Sequence, residues 1–220
     1  MNKLRKPERI LGAAFLLQAV TSLSSGMLLM RLIDKGSITQ SMANIAHYPA
    51  LMRLNILLEM ITAMGIIFLG SVLFVTLRKQ NEKVALTALG LYILEAVILA
   101  GSRMEGFSLL RISQVYIGSA QSADLASLAR IAYDTMDFAY GALLMLAFCI
   151  GGILFYYLML KSLIVPRALS LWGLITIFPM LAGTIAQIFG SEISFYFYLP
   201  YVPFEFVIGI WISIKGIRET

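Results

Sequence analysis

The sequence predicts an all-α polytopic membrane protein, a bundle of six transmembrane helices, and three observations predict it. Hydrophobic residues make up 60% of the 220 residues and charged residues only 13%, about half the charged share of a soluble domain. The apolar residues gather into six runs, most of them near the ~20 residues that a helix needs to cross a hydrocarbon core. The lysines and arginines fall mainly in the short stretches between and around the runs, and they favour one side over the other.

The runs succeed one another in order. Ile10–Met30 comes after the basic start MNKLRKPERI. It exceeds the roughly 7–15 residues of a signal-peptide core and reads as a retained first helix. Leu51–Leu77 is preceded by Pro49, which suits the first turn of a helix. The residues Arg78-Lys79-Gln80-Asn81 separate it from Val84–Phe107. Ile131–Leu160 is the fourth run, and Pro166 divides it from Ala168–Gly190, inside which Pro179 predicts a kink. Tyr201–Ile214, opened by Pro200 and Pro203, is short by the length rule and completes its reach by snorkelling of Lys215. Of the two long connections, Arg31–Pro49 holds Ser37, Thr39, His47 and Tyr48. Ser108–Arg130 mixes apolar and polar residues as an interfacial helix or an extension of the third helix does. No polar segment is long enough for a second domain, so residues 1–220 read as one domain.

With the N-terminus cytoplasmic, eleven basic residues fall on the inner side (Lys3, Arg5, Lys6, Arg9, Arg78, Lys79, Lys83, Lys161, Arg167, Lys215 and Arg218). Six remain on the other side: Arg31, Lys35, Arg53, Arg103, Arg111 and Arg130. This bias predicts a multi-pass protein of the plasma membrane with both termini cytoplasmic. It also accounts for the net charge of +5 without any nucleic-acid partner; the expected partner is the lipid bilayer. Acidic residues divide the other way, with only Glu8, Glu82 and Glu219 inside.

Carboxylates inside apolar runs mark the polar interior, because an ionisable group facing lipid costs several kcal/mol. Glu59, Glu95 and Glu205 lie in LNILLEMITAMG, LYILEAVILAG and PYVPFEFVIGIW. At about 1.5 Å per residue, Glu95 is near the midplane, Glu59 about 12 Å below the outer surface and Glu205 about 6 Å below it. Asp134, Asp137 and Tyr140 come at intervals of three and share a helix face, and Asn55 shares one with Glu59. These seven residues are the expected ligand-binding set, converging on one outward-opening cavity with Arg53, Arg103 and Arg130 near its rim. Arg103 with Glu105, and Arg130 with Asp134, read as interfacial ion pairs. Phe195, Tyr196, Phe197, Tyr198 and Tyr201 read as an interfacial aromatic belt, His47 as a solvated or capping side chain, and Cys149 as a small buried hydrophobe.

One histidine and one cysteine exclude the Cys/His zinc patterns, and the paired Glu-x-x-His motifs of di-metal bundles are absent. Glu59, Glu95, Asp137 and Glu205 offer an oxygen-only set of the kind that suits a hard cation. No phosphate loop, HExxH or Ser-His-Asp set occurs. Nothing in the chain selects a cofactor or an oligomeric state.

The stretches LMRLNILLEMITAMGIIFLGSVLFVTLRKQNEKVALTALGLYILEAV, VPRALSLWGLI and PFEFVIGIWISIKGIR carry a resemblance. With Arg53, Glu95-Ala96, Pro166-Arg167, Glu205, Trp211 and Lys215-Gly216 in this order, the chain resembles a bacterial family of six-span proteins, domain of unknown function 4386. The resemblance implies the six-span topology and singles out Glu95 and Glu205. Relatives often have a histidine within the fourth span where this chain has Asp137. No activity comes with the family. The residues support binding or transport of a small cationic or amphiphilic ligand. The alternatives are an intramembrane enzyme acting on a lipid or isoprenoid, with Glu95 as acid and Asp137 as base, and a structural accessory subunit.

Overall fold

The computed structural model describes residues 6–119, 122–191 and 195–218. Lys3, Arg5 and Glu219 of the charge pattern lie outside the described residues, as do the side chains of Lys6, Glu8 and Phe195. The described residues contain no strand; the fold is all-α. Eight α-helices succeed one another: α1 Lys6–Leu32, α2 Ile38–His47, α3 Pro49–Leu77, α4 Glu82–Gly118, α5 Ala123–Phe138, α6 Met145–Ser162, α7 Arg167–Ile188 and α8 Val202–Lys215. A π-helical segment, Ala139–Leu144, joins α5 to α6, and a 3-10 turn, Phe195–Phe197, precedes α8.

Local chemistry sets the boundaries. Ser37 Oγ accepts from Gln40 N at 3.2 Å and starts α2, and Asn81 Oδ1 accepts from Val84 N at the same distance and starts α4, each as an N-cap. Pro49 occupies the first turn of α3, where its missing N–H is no loss. At the end of α6, Leu163 takes a left-handed φ of 58°, and Pro166 then opens α7.

Five stretches are long and apolar enough to cross a membrane: Arg9–Leu32, Pro49–Leu77, Glu82–Gly118, Ala123–Ser162 and Arg167–Ile188. The protein is therefore a polytopic membrane protein. The sixth expected span is α8, and its 14 residues reach roughly 21 Å at 1.5 Å each, short of a ~30 Å core. Two expectations of the connecting segments resolve as helices. The residues after Arg31 form α2, and Ser108–Gly118 continues the third span, so that α4 is 37 residues long, roughly 55 Å by the same rise.

The helices pack in a chain of neighbours: α8 on α1, α1 on α3, α3 on α4, α4 on α5 and α6, and α6 on α7. Close approach depends on glycine at two points. A Cβ on Gly70 of α3 or Gly151 of α6 would come within 3.1 and 2.9 Å of the Tyr92 side chain, so this ring fills the space between three helices. One apolar core runs along the bundle through Leu69, Tyr92, Phe155 and Ile208. A second, separate core joins the ends of α1 and α3 to α2, the far end of α4 and the start of α5, through Leu32, Met42, Met52, Leu109 and Ala129. It caps the end of the bundle at which α1 finishes and α3 begins.

Candidate functional site

A cavity of about 1300 Å³ opens within the bundle. The sequence-predicted Glu59, Glu95, Asp134, Asp137, Tyr140 and Glu205 all line it. Lys35, Arg130 and Ser191 are also in its wall, which places its mouth at the capped end, beside α2. Methionine and aromatic side chains, among them Met27, Met180, Phe148 and Phe206, make much of the remaining surface.

The deepest polar groups come from α1, α4 and α8. Contacts between helices fix their level. Gly209 of α8 meets Leu16 of α1, with a Cβ there 2.9 Å from Leu16 Cγ, and Gly65 of α3 faces Leu17 at 3.8 Å. Glu205 is one turn from Gly209, and Glu95 is one turn from the Tyr92 that abuts Gly70. Gln18, Glu95 and Glu205 thus share one tier. The Glu95 and Glu205 carboxylates lie within electrostatic reach of each other. The shallow position expected for Glu205 is corrected. Trp172 Nε1, near the start of α7, donates to Pro200 O at 3.2 Å, so α8 begins well inside the bundle and Glu205 starts deep. Glu95 is 2% exposed and Gln18 6%, and among the described residues Glu95 Oε2 and Gln18 Oε1 have no hydrogen-bond partner.

Tyrosines surround this tier. The Tyr156 and Tyr201 hydroxyls are hydrogen-bonded to each other; Tyr92 reaches Tyr156, and Tyr201 reaches Glu205. The Tyr201 ring packs edge-on against Phe148 with centroids 5.2 Å apart. The aromatic belt expected around residue 198 is therefore divided: Tyr196 and Phe197 are exposed, while Tyr201 is buried and Tyr198 lines the cavity. The path of the chain after α7 takes both tyrosines off the surface.

A second polar tier lies nearer the mouth. Arg103 is eight residues from Glu95 on α4, about 12 Å along the axis. The interfacial pair expected for Arg103 with Glu105 is corrected. Arg103 is 3% exposed because α4 runs on to Gly118 and the guanidinium lies inside the bundle. Its Nε and Nη2 donate to Ser102 Oγ at 3.1 and 2.9 Å, and Nη1 donates to Asn55 Oδ1 at a longer 3.5 Å. Asn55 Nδ2 donates to Ser25 Oγ at 2.7 Å and to Ser25 O at 3.0 Å, and Ser25 Oγ donates to Glu59 Oε1 at 2.6 Å. Arg103 is also within electrostatic reach of Glu59. Its guanidinium carbon lies 5.9 Å from the centroid of the Tyr140 ring, inside cation–π range, and the Tyr140 hydroxyl is within reach of Ser22 of α1. Glu59 Oε2 has no partner. Between the tiers, Thr62 Oγ1 donates to Thr21 Oγ1 at 2.7 Å.

Asn55 is corrected as a ligand-binding residue: it is fully buried and its amide is committed to Ser25 and Arg103, so it positions Glu59 from behind the cavity wall. Arg53 is likewise corrected, since it sits on an exposed face of α3 away from the lining. At the mouth, Arg130 Nε donates to Asp134 Oδ2 at 2.9 Å, with both side chains about half exposed, in the pair that the spacing predicts. Asp137, also exposed, stands on the same wall. His47 is exposed and its ring lies 4.4 Å from that of Tyr48, and Cys149 is buried. Among the described residues no three acidic, histidine or cysteine side chains come close enough to hold one metal ion. The hard-cation arrangement of Glu59, Glu95, Asp137 and Glu205 is therefore corrected: these four side chains do not gather into one such group.

Four participants were not legible as site residues: Gln18, Ser25, Tyr201 and the buried Arg103. A polar glutamine or serine in an apolar run is a weak signal, although Gln18, Ser22 and Ser25 recur at helical spacing on one face of α1. Comparison with known proteins gives a match to the family model described as "Domain of unknown function (DUF4386)" over residues 10–216. No curated protein and no solved structure matches the chain.

Proposed function

The chain belongs to the DUF4386 family, and from the cavity itself we propose that it binds, and in a membrane setting carries, an organic ammonium ion. One observation supports this above the others. Glu59 Oε2, Glu95 Oε2 and Gln18 Oε1 are buried acceptors with no donor, and all three residues line one cavity. Buried polar atoms are paired in folded proteins, and one that is not calls for a ligand or water. An ammonium group presents several N–H donors and a compensating positive charge, which is the complement of this set. The charges agree: the lining carries Glu59, Glu95, Asp134, Asp137 and Glu205 against Lys35 and Arg130, and both bases are at the mouth. The apolar wall then receives the hydrocarbon part of the ligand.

The enzyme reading loses its residue pair, because Glu95 faces Glu205 in the deep tier while Asp137 stands on the exposed wall nearer the mouth. A purely structural role leaves 1300 Å³ of polar-lined space without a purpose. The proposal includes the topology that the basic residues favour, with the capped end and the cavity mouth outside the cytoplasm of a plasma membrane and α8 serving as the sixth, partial crossing.

The test is binding of octylamine, set beside octanol and octanoate, to the purified protein in lipid nanodiscs, read by thermal shift. Octylamine raises the melting temperature, as a ligand selective for the folded state does, and the alcohol and the acid do not. Glu95→Gln weakens octylamine at least tenfold, about 1.4 kcal/mol. Equal shifts from all three compounds, or an unchanged affinity in the variant, would reject the reading.

A further inference from the structure

The cavity has a second side. Among the described residues, the α1 backbone packs against α2, α3 and α8 and against no other helix. It does not approach α5, the π segment, α6 or α7, although residues from both groups line the same cavity. The Ser22 side chain and the Tyr140 hydroxyl come within reach of each other across the gap. The gap lies along lengths of α1 and of the α5–α6 run that are long and apolar enough to cross a membrane, which would set it against hydrocarbon. Apolar side chains stand along its edges: Leu23 and Met27 on α1 are 46% and 54% exposed, and Phe138, beside Asp137 on the opposite wall, is 44% exposed. All three also line the cavity.

We propose that this opening is a side portal through which a membrane-dissolved, long-chain amine enters from the lipid, its ammonium group leading toward Glu59 and Glu95 and its alkyl chain trailing between Leu23, Met27 and Phe138. The inference rests on the ammonium reading above and names the ligand's class and its route. The acceptors it invokes are not an acidic cluster alone. Glu95 and Glu59 are 2% and 3% exposed, and each has an unpartnered oxygen in the wall of the cavity that the portal serves. The axial mouth offers a contrasting path. It carries Lys35, Arg130 and Asp134, and a long alkyl chain passing there would leave hydrocarbon for charged side chains, at about 0.8 kcal/mol for each CH₂ exposed to water. Through the portal the chain keeps the apolar contacts of Leu23, Met27 and Phe138, and it is the ammonium group that changes surroundings most. The tiers suit such a passage: the ammonium meets Glu59 nearer the mouth and Glu95 deeper, beyond Ser22 and Tyr140, with the Met and Phe wall alongside.

The portal can be closed without altering either tier. Cysteines at Leu23 and Phe138, in a chain with Cys149→Ala, allow a bifunctional maleimide to tie α1 to the opposite wall. Association and release are measured in nanodiscs with two probes, dodecylamine and methylamine. The tie slows dodecylamine at least tenfold in both directions and leaves methylamine, which uses the axial mouth, within about twofold. A photoreactive group at the far end of the dodecylamine chain labels lipid and the portal-facing residues of the untied protein. Unchanged dodecylamine rates in the tied protein, or labelling confined to the axial rim, would overturn the portal while leaving ammonium binding in place. Failure of both amines to bind the untied chain would overturn the portal and the ammonium reading together. Should the tied protein fail to fold, the photolabelling pattern of the unmodified chain decides alone.

Discussion

Arg103 shows how much the position of one charge depends on what surrounds it. A guanidinium inside a bundle is tolerable only if its donors and its charge are answered. Here Ser102 and Asn55 answer the donors, and Glu59 and the Tyr140 ring answer the charge. The relay from Arg103 through Asn55 and Ser25 to Glu59 crosses α4, α3 and α1, so removing its cation leaves a buried carboxylate with reduced compensation. Arg103→Leu is expected to destabilise the protein by about 3 kcal/mol, measured by reversible denaturation in mixed micelles. Adding Glu59→Gln to it restores most of the loss, because the orphaned charge goes too. Additive losses in the double variant would show that the two residues do not act as a pair. The sequence made Glu59 and Glu95 conspicuous, since an acid in an apolar run has few structural reasons to be there. It misplaced Arg103, because the mixed residues after Ser108 suit a separate interfacial helix as well as an extension of the third span. The helix does continue to Gly118, and with that continuation Arg103 moves from a helix end to the interior.

At the scale of the element, the π segment Ala139–Leu144 sets which residues of the fourth crossing face inward. A π turn carries one residue more than an α turn, so it rotates α5 relative to α6. Asp134, Asp137 and Tyr140 precede or begin it, while Leu144, Met145 and Phe148 close it or come after, and all six line the cavity. With one of its residues deleted, the run would become an uninterrupted α-helix, and α5 would turn by about 100°. Deletion of Ala142 should therefore leave a folded, membrane-inserted protein in which Asp134 and Asp137 no longer line the cavity. The check is thiol labelling of cysteines placed at 134 and 137. In the parent chain a water-soluble maleimide reacts at both, and in the deletion variant reactivity falls at least fivefold; equal reactivity would mean that the π turn does not set the facing. The spacing of three between Asp134, Asp137 and Tyr140 was readable because it precedes the irregular turn. The turn itself left no pattern, as a π segment has the same apolar composition as the helix around it. Glu205 was misjudged for a related reason: hydropathy locates apolar residues along the chain but not the depth at which a helix of 14 residues begins.

For the molecule as a whole, orientation rests on the basic residues at the end remote from the cap. Arg78 and Lys79 lie between α3 and α4, and Lys161 and Arg167 flank the turn from α6 to α7. Cysteine at Ser122, at the capped end beside α5, is expected to react with an impermeant maleimide from outside intact cells, and cysteine at Lys79 only after the membrane is opened. The reverse pattern would invert the topology and point the cavity mouth to the cytoplasm. Six apolar runs and their order were legible from hydropathy, and the architecture derives from them. The incomplete ring was not legible, since whether α1 reaches α5 depends on how the helices tilt and pack.

The second core carries a consequence for the way the chain is made. Leu32, Met42, Met52, Leu109 and Ala129 come from five successive helices, so the cap cannot exist until synthesis has passed residue 129. Until α5 emerges, Leu109 and Leu110 at the far end of α4 have only α2 and α3 to cover them. The ribosome must pass residue 129 before this end has a complete interior, and the arrival of one helix closes it in a single step.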